Sequence, residues 1–286
     1  MSYETRKTIS YFNGQFLPID QIAISPDDRG FLFADGLYEV MRSYNGLIFR
    51  APDHISRLNF GARELRFNCT DFAYLIEVAE KLIRDNDLTR GDALIYIQVT
   101  RGAAPRQHRF PRTDTPLTVY ASAGAFASKF DEQQNGINVI FVPDVRWART
   151  NIKTVGLLPN VMAHQEALER QASEAIFVRD GFLMEGTHSN IFAVKSGEVI
   201  TPPLSNHILN GITRKAVLEQ CDSLSISIAE RPISESEARQ ADELFITGTT
   251  VEITPVVRIE GQPVGSGAPG AVTRRLHDAF QARCRK

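Results

Sequence analysis

The chain has 286 residues, 43% of them hydrophobic and 23% charged, with a formal net charge of -2. That is an ordinary globular composition, long enough for one large or two middling domains, and it excludes a small disulfide-stapled scaffold. The near-neutral balance gives no electrostatic pull toward DNA, RNA or an anionic membrane, and no run approaches the roughly 20 apolar residues that span a bilayer.

The first fifty residues read as β-structure. Tyr11-Phe12-Asn13-Gly14-Gln15-Phe16 sets Asn-Gly between apolar flanks, a strong hairpin signal, and Tyr44-Asn45-Gly46-Leu47-Ile48-Phe49 repeats it. Leu37 to Arg42 is strand-like between them. Pro52 opens a helical stretch, and Asp71 is expected to cap a second helix running through Leu82 and Ile83. Ala93–Val99 and Leu117–Ala121 read as buried strands. The small and polar residues around 122–136 then interrupt the pattern as a linker. Beyond it, Ile137–Val142 is strand-like, Asn160–Arg170 helical, and Ala175–Val178 and Ile191–Val194 strand-like. Ile212–Gln220 reads as a helix, Leu224–Ala229 as a strand, Ser234–Gln240 as a short helix, and Leu244–Thr247 and Ile253–Val257 as strands. The expectation is an α+β (mixed α/β) chain in two domains, 1–122 and 136–286, joined by a linker over 123–135.

Cys69, Cys221 and Cys284 are far apart and in no paired spacing. This argues against a disulfide framework and a zinc site, so no metal is expected, and a reducing cytoplasm is the simplest compartment. Met1 to Lys7 leads on without the apolar core of a signal peptide.

Five stretches carry residue types suited to chemistry. Lys153 lies between Ile152 and Thr154, soon after Arg149. A lysine crowded by apolar groups and a second cation loses its proton more readily and can form a Schiff base. Met184-Glu185-Gly186-Thr187-His188-Ser189-Asn190 and Thr247-Gly248-Thr249-Thr250 are Gly/hydroxyl turns able to cradle an anion, and Asn210-Gly211-Ile212-Thr213-Arg214 starts a helix. Tyr96 to Pro111 is a strand running into a Gly/Pro loop with Arg101, Arg106, His108 and Arg109, and arginine suits a carboxylate. Each alone is more readily explained as a surface lysine, a polar turn, an ordinary helix cap or a solvated basic loop.

Taken in order, these stretches resemble the fold-type IV aminotransferases that use pyridoxal 5'-phosphate. The resemblance begins at Arg29-Gly30-Phe31-Leu32-Phe33-Ala34-Asp35-Gly36-Leu37-Tyr38-Glu39 and His54-Ile55-Ser56-Arg57-Leu58, and covers nearly the whole chain. It implies a smaller N-terminal α/β domain and a larger C-terminal domain with a pseudo-barrel β core, the latter carrying the cofactor lysine. It implies that Lys153 forms the Schiff base and moves the substrate's Cα proton. Glu185 matches the carboxylate that pairs with the pyridine nitrogen, keeping the ring an electron sink. Arg57, Gly211, Ile212, Thr213 and Thr249 are implied for the phosphate, and Ser189 more loosely for the cofactor.

Pro105-Arg106-Gln107-His108 is similar to the Pro-Arg-x-His of D-amino acid transaminases, in which the Arg and His join an early Tyr, here Tyr38, to hold the substrate carboxylate. In that family the loop comes from the partner subunit, so a homodimer with shared active sites is implied. Val40, Arg42, Tyr96 and Thr250 are counted with the substrate-binding residues. Tyr38, Val40 and Arg42 share one strand face, and Arg42 suits acidic side chains, with a place at the dimer surface as the other reading. Thr187-His188 stands where several relatives show a run of Ser. The implied reaction moves an amino group between D-amino acids and 2-oxo acids such as 2-oxoglutarate or pyruvate. A branched-chain L-amino acid aminotransferase, an (R)-amine transaminase and an aminodeoxychorismate lyase are the alternatives on the same fold.

Overall fold

The computed structural model describes residues 8–285, so the reading of Met1–Lys7 lies outside the described residues. The chain divides into two compact units. The first holds residues up to Ala127 together with Ile152–Gly156, and the second holds Ser128–Asn151 and Leu157 onward.

The first unit opens with β1 (Ile9–Phe12) and β2 (Gln15–Pro18), then the short helix α1 (Arg29–Phe33). β3 (Gly36–Tyr44), β4 (Leu47–Ile48), α2 (Ala51–Glu64), α3 (Leu75–Asp85), β5 (Asp92–Thr100) and β6 (Thr118–Ala125) follow. Both Asn-Gly pairs form tight hairpins. Asn13 and Gly14 sit at φ 48° and 92°, the left-handed pair that matches strand twist. The six strands form an antiparallel sheet in the order β2-β1-β6-β5-β3-β4. Because side chains alternate, Leu37 and Met41 of β3 share one face with Ile95, Ile97 and Val99 of β5, where α2 and α3 cover them with Ile55, Leu58, Leu75 and Leu82. The opposite face carries Tyr38, Val40, Tyr96, Gln98 and Tyr120.

The segment 152–156 completes this unit. Tyr38 N–H donates to the Lys153 carbonyl at 3.1 Å and Val155 N–H to the Gly36 carbonyl at 3.0 Å, so 153–155 runs beside the start of β3. Ile152 is buried in the core, and the two-residue alternation turns Lys153 the other way.

The second unit begins with α4 (Phe130–Asn135), β7 (Ile137–Pro143), α5 (Leu158–Glu169), β8 (Glu174–Arg179), β9 (Phe182–Gly186), β10 (Asn190–Lys195) and β11 (Glu198–Thr201). It continues with α6 (Ile212–Ser223), β12 (Ile228–Glu230), α7 (Glu235–Arg239), β13 (Glu243–Gly248), β14 (Glu252–Ile259), β15 (Gln262–Pro263) and α8 (Ala271–Cys284). Its mixed sheet runs β12-β11-β10-β13-β14-β7-β8-β9, with β15 on β14, and β9 returns against β10, so the sheet curls on itself. Ile137, Val139 and Phe141 of β7 point to a core shared with Ile176, Ile191 and Leu244, while Ile140 and Val142 point outward beneath Ala163 and Ala167 of α5.

Several elements differ from expectation. Residues 123–125 extend β6 and 130–135 form α4, so only the short stretch 126–129 of the expected linker lacks regular structure. Asp71 accepts from Ala73 N–H and caps a turn ahead of α3, because the chain first buries Phe72. Leu224–Ser227 is no strand: Ser225 takes φ 53° and Ile226 N–H donates to the Cys221 carbonyl, closing α6 before β12 starts. Helices α1 and α8 and strand β11 carried too little periodicity to be expected.

Candidate active site

In the first unit the candidate residues gather on the open face of the sheet. Lys153 Nζ lies 4.0 Å from the centroid of the Tyr38 ring. Tyr38 stacks on Tyr96 at 5.9 Å, Tyr96 leans on Tyr120 at 6.4 Å, and the Tyr96 hydroxyl donates to Gln98 Oε1 at 2.7 Å. Burial, with Tyr38 and Tyr120 close by, pushes the Tyr96 phenol up to about 12, so it is a neutral donor at working pH. Val40, half-buried, sits opposite Tyr96 across the β3–β5 pair.

Arg57, on α2, reaches the helix-covered face instead. Its Nε and Nη2 donate to the two oxygens of Glu39, each at 2.7 Å, and the His54 ring lies 2.8 Å from the same carboxylate. Burial alone would raise the Glu39 carboxyl, but the Arg57 guanidinium and the His54 ring hold it at about 2. Burial in turn lowers His54, outweighing the attraction of Glu39. A neutral imidazole and a bidentate carboxylate thus fix the Arg57 fork in one plane. Glu39 and His54 were not among the expected site residues. His54 lies one helical turn before Arg57, and that i, i+3 spacing was the only local signal.

Arg42 shares the strand face of Tyr38 and Val40 but is buried. Its side chain is 1% exposed, Nη2 donates to Asp92 Oδ2, and the guanidinium lies over the rings of Tyr44 and Phe126, both at 4.8 Å. The carboxylate and the two rings around this buried guanidinium support a structural role for Arg42 and lend no support to the expected substrate role.

The three loop arginines separate cleanly. Arg101 is buried, donates to Asp35 Oδ2 and to the Leu65 and Arg66 carbonyls, and stacks on Phe67 and Phe110. Arg109 donates to Gln107 Oε1. Arg106 is exposed, its guanidinium 5.2 Å from the Phe33 ring, and the His108 ring meets that same Phe33 at 5.7 Å. Arg29 anchors the loop by donating to the Gln107 carbonyl at 2.7 Å, with its own Nε on Asp35. Among the described residues, Arg106 and His108 make no hydrogen bond or ring contact with Tyr38, Tyr96 or Lys153.

The second unit carries a separate group. Glu185 is buried at the end of β9. Arg146 Nη1 donates to its Oε1 at 2.6 Å, and the Leu209 N–H and Asn190 Nδ2 donate to its Oε2 at 2.9 and 3.2 Å. Arg146 also chelates Asp144; burial opposes that carboxylate's charge, but the guanidinium beside it holds Asp144 below the usual range. Neither Arg146 nor Asn190 was expected, and only Asn190 fell within a motif already singled out.

Gly211 stands at the N-cap of α6 and, having no side chain, makes no cap hydrogen bond to the first-turn amides of Ile212 and Thr213. A Cβ at Gly211 would collide with Asn190 Oδ1, so glycine alone lets the helix start approach Glu185's partner. Uncapped amides at a helix start suit an anion. Thr249 and Thr250 lie half-buried in the turn after β13, and the buried Thr247 Oγ1 has no hydrogen-bond partner among the described residues. Ser189 donates to Glu174 Oε2 at 2.9 Å.

The family model for class IV aminotransferases matches residues 36–259. The chain belongs to the class IV aminotransferases. It is 42% identical to a D-alanine aminotransferase of Bacillus licheniformis over 272 residues, 94% of this chain and 95% of that one. Its fold matches the branched-chain amino acid aminotransferase of Escherichia coli with a TM-score of 0.89 at 26% identity, covering 97% and 94% of the two chains. A T.th. branched-chain amino acid aminotransferase, solved in complex with N-(5'-phosphopyridoxyl)-L-glutamate, shares the fold at TM-score 0.88 and 24% identity over 99% and 95%. This aminotransferase thus has the fold-type IV architecture, mixed helices and strands with a curled sheet as a half-barrel. Among the described residues, no helix is long and apolar enough to cross a membrane.

Proposed function

We propose that this aminotransferase uses pyridoxal 5'-phosphate to move the amino group of D-amino acids such as D-alanine to 2-oxo acids such as 2-oxoglutarate or pyruvate. One observation carries the substrate reading. Of the three loop arginines, Arg101 and Arg109 are committed within the chain, whereas the Arg106 guanidinium stands exposed beside Phe33 with His108 on the same ring. A planar guanidinium with an imidazole donor suits an α-carboxylate. The 42% identical relative bears the name D-alanine aminotransferase.

The donor set fits the cofactor. A lysine amine on the Tyr38 ring, a carboxylate oriented by Arg146, Asn190 and Leu209, an uncapped helix start at Gly211 and the orphaned Thr247 hydroxyl match its aldehyde, ring nitrogen and phosphate. When bound, the cofactor supplies the electron sink for the substrate's Cα. Lys153 would be the attachment point, and its Nζ would take the proton from that carbon. Glu185 would keep the pyridine nitrogen protonated. Arg57, the amides of Ile212 and Thr213, and the Thr249 hydroxyl would hold the phosphate, and Ser189 would contact the cofactor. Tyr38, Val40, Tyr96 and Thr250 shape the substrate pocket, and Arg106 and His108 bind the carboxylate from a partner subunit in a homodimer. Exposed apolar residues at i, i+3 and i+4 of α5, namely Leu158, Val161 and Met162, support burial of that helix face in a dimer. Three cysteines that form no disulfide with one another suit a reducing cytoplasm.

The test is a half-reaction spectrum. D-alanine added to the purified holoenzyme without an acceptor should change the visible cofactor band, while L-leucine leaves it unchanged. Conversion by L-leucine but not D-alanine would favour a branched-chain reading, which the fold match to an enzyme of that name supports. Lys153→Ala should give no visible change with either.

A further inference from the structure

We propose that His164, Glu174 and His188 form a binding site for a divalent transition metal of the zinc type, independent of the transamination reading. The three come from different elements of the second unit: His164 from α5, Glu174 from the start of β8, and His188 from the turn between β9 and β10. One ligand atom from each falls within 4.8 Å of the others. His188 Nδ1 lies 3.1 Å from Glu174 Oε2, and His164 Nδ1 lies 3.9 Å from Glu174 Oε1. Metal bonds of about 2.0–2.2 Å in a tetrahedron place neighbouring ligand atoms roughly 3.4 Å apart. The observed separations bracket that value, so small side-chain rotations suffice to close three ligands on one ion.

Two observations single this cluster out from an ordinary polar turn. Glu174 is a carboxylate with 1% exposure and, among the described residues, no lysine or arginine pairs with it. Its negative charge faces only the two imidazoles and neutral donors, and a buried charge needs compensation. In addition, His164 Nδ1 is shut off from solvent and has no hydrogen-bond partner among the described residues, although it lies 3.9 Å from the carboxylate. An ion between them would answer both. The surroundings are those of an oriented ligand: Ala175 N–H, Thr187 N–H and the hydroxyls of Thr187 and Ser189 all donate to Glu174. Asn160 Nδ2 in turn pins the Thr187 carbonyl at 2.7 Å. Outer-shell bonds of this kind fix ligand geometry. Two imidazoles and one carboxylate suit Zn2+, Co2+ or Ni2+ with water completing the shell, whereas Mg2+ and Ca2+ ask for six or more oxygens.

The experiment is calorimetric titration of the purified holoenzyme with ZnCl2 in a non-chelating buffer. The expected isotherm has one ion per chain. His164→Ala and His188→Ala should each weaken it by more than about tenfold, the cost that even an outer-shell partner carries. Folding of both variants is checked by circular dichroism. Glu174→Gln is kept out of the decisive pair, because Glu174 also holds the 187–189 turn. Cys69→Ser, at the exposed thiol, should leave the isotherm unchanged. No isotherm from the parent protein, histidine variants that bind as tightly as the parent, or loss of binding in Cys69→Ser would each overturn the site. Because the readout is heat of metal binding, a wrong substrate assignment leaves it untouched.

Discussion

Glu39→Gln tests whether the buried Glu39–Arg57–His54 group is an electrostatic clamp or only a packed polar cluster. The Glu39 carboxyl is held at about 2 against an ordinary 4.5. A folded-state value below the unfolded one stabilises the protein above the unfolded value and loses that contribution as pH falls through the folded one. A gap of that size amounts to about 3 kcal/mol at pH 7, at about 1.4 kcal/mol per unit. By pH 3 the folded carboxyl is still mostly charged while the unfolded one is largely protonated, and linkage leaves about 1.4 kcal/mol. His54, also lowered, works in the same direction, since acid must charge a buried imidazole. Glutamine keeps the shape and removes the titration. Urea unfolding of parent and variant at pH 7 and pH 3 should show a difference of about 3 kcal/mol or more that shrinks by roughly 2 kcal/mol on acidification. A difference that is the same at both pH values would refute the electrostatic account and leave only packing and hydrogen-bond geometry.

Arg106→Ala should lower kcat/KM for D-alanine by the equivalent of about 2–5 kcal/mol, since it strands a carboxylate, while Arg109→Ala, already paired with Gln107, should change it less than tenfold; steady-state kinetics on both variants decides this. Arg42→Ala should cost about 3–5 kcal/mol of stability by stranding the Asp92 charge, with KM for acidic 2-oxo acids unchanged, as thermal melts and kinetics would show. Gly211→Ala should force Asn190 off Glu185, cost about 1–3 kcal/mol by overpacking, and speed loss of the cofactor on dialysis, read from its visible absorbance.

The sequence was legible where the physics is local. Asn13-Gly14 and Asn45-Gly46 announce hairpins because few other pairs tolerate two positive φ values in a row. Pro52 and the apolar spacing after it announce α2, and the alternation of β3 and β5 follows from one covered face. What stayed hidden is non-local. Nothing near Arg42 reveals that Asp92, fifty residues on, will close over it. Nothing near Glu185 names Arg146, and nothing near His188 names Glu174. α8 was missed because its mean hydropathy is low and only Thr273, Leu276, His277, Phe280 and Cys284 turn inward. The motif order pointed to candidate residues, while the carbonyls and carboxylates that hold them came only with the fold.

The membership of 152–156 in the first unit bears on how the protein is made. The edge of β3 at Gly36–Tyr38 is covered by residues that leave the ribosome about 25 positions after Ala127. Until they arrive, the nascent first unit exposes an open strand edge, the feature that invites pairing with another chain. A truncation ending near Ala127 should therefore aggregate, and Lys153 can take its place against Tyr38 only after the start of the second unit has already been synthesised.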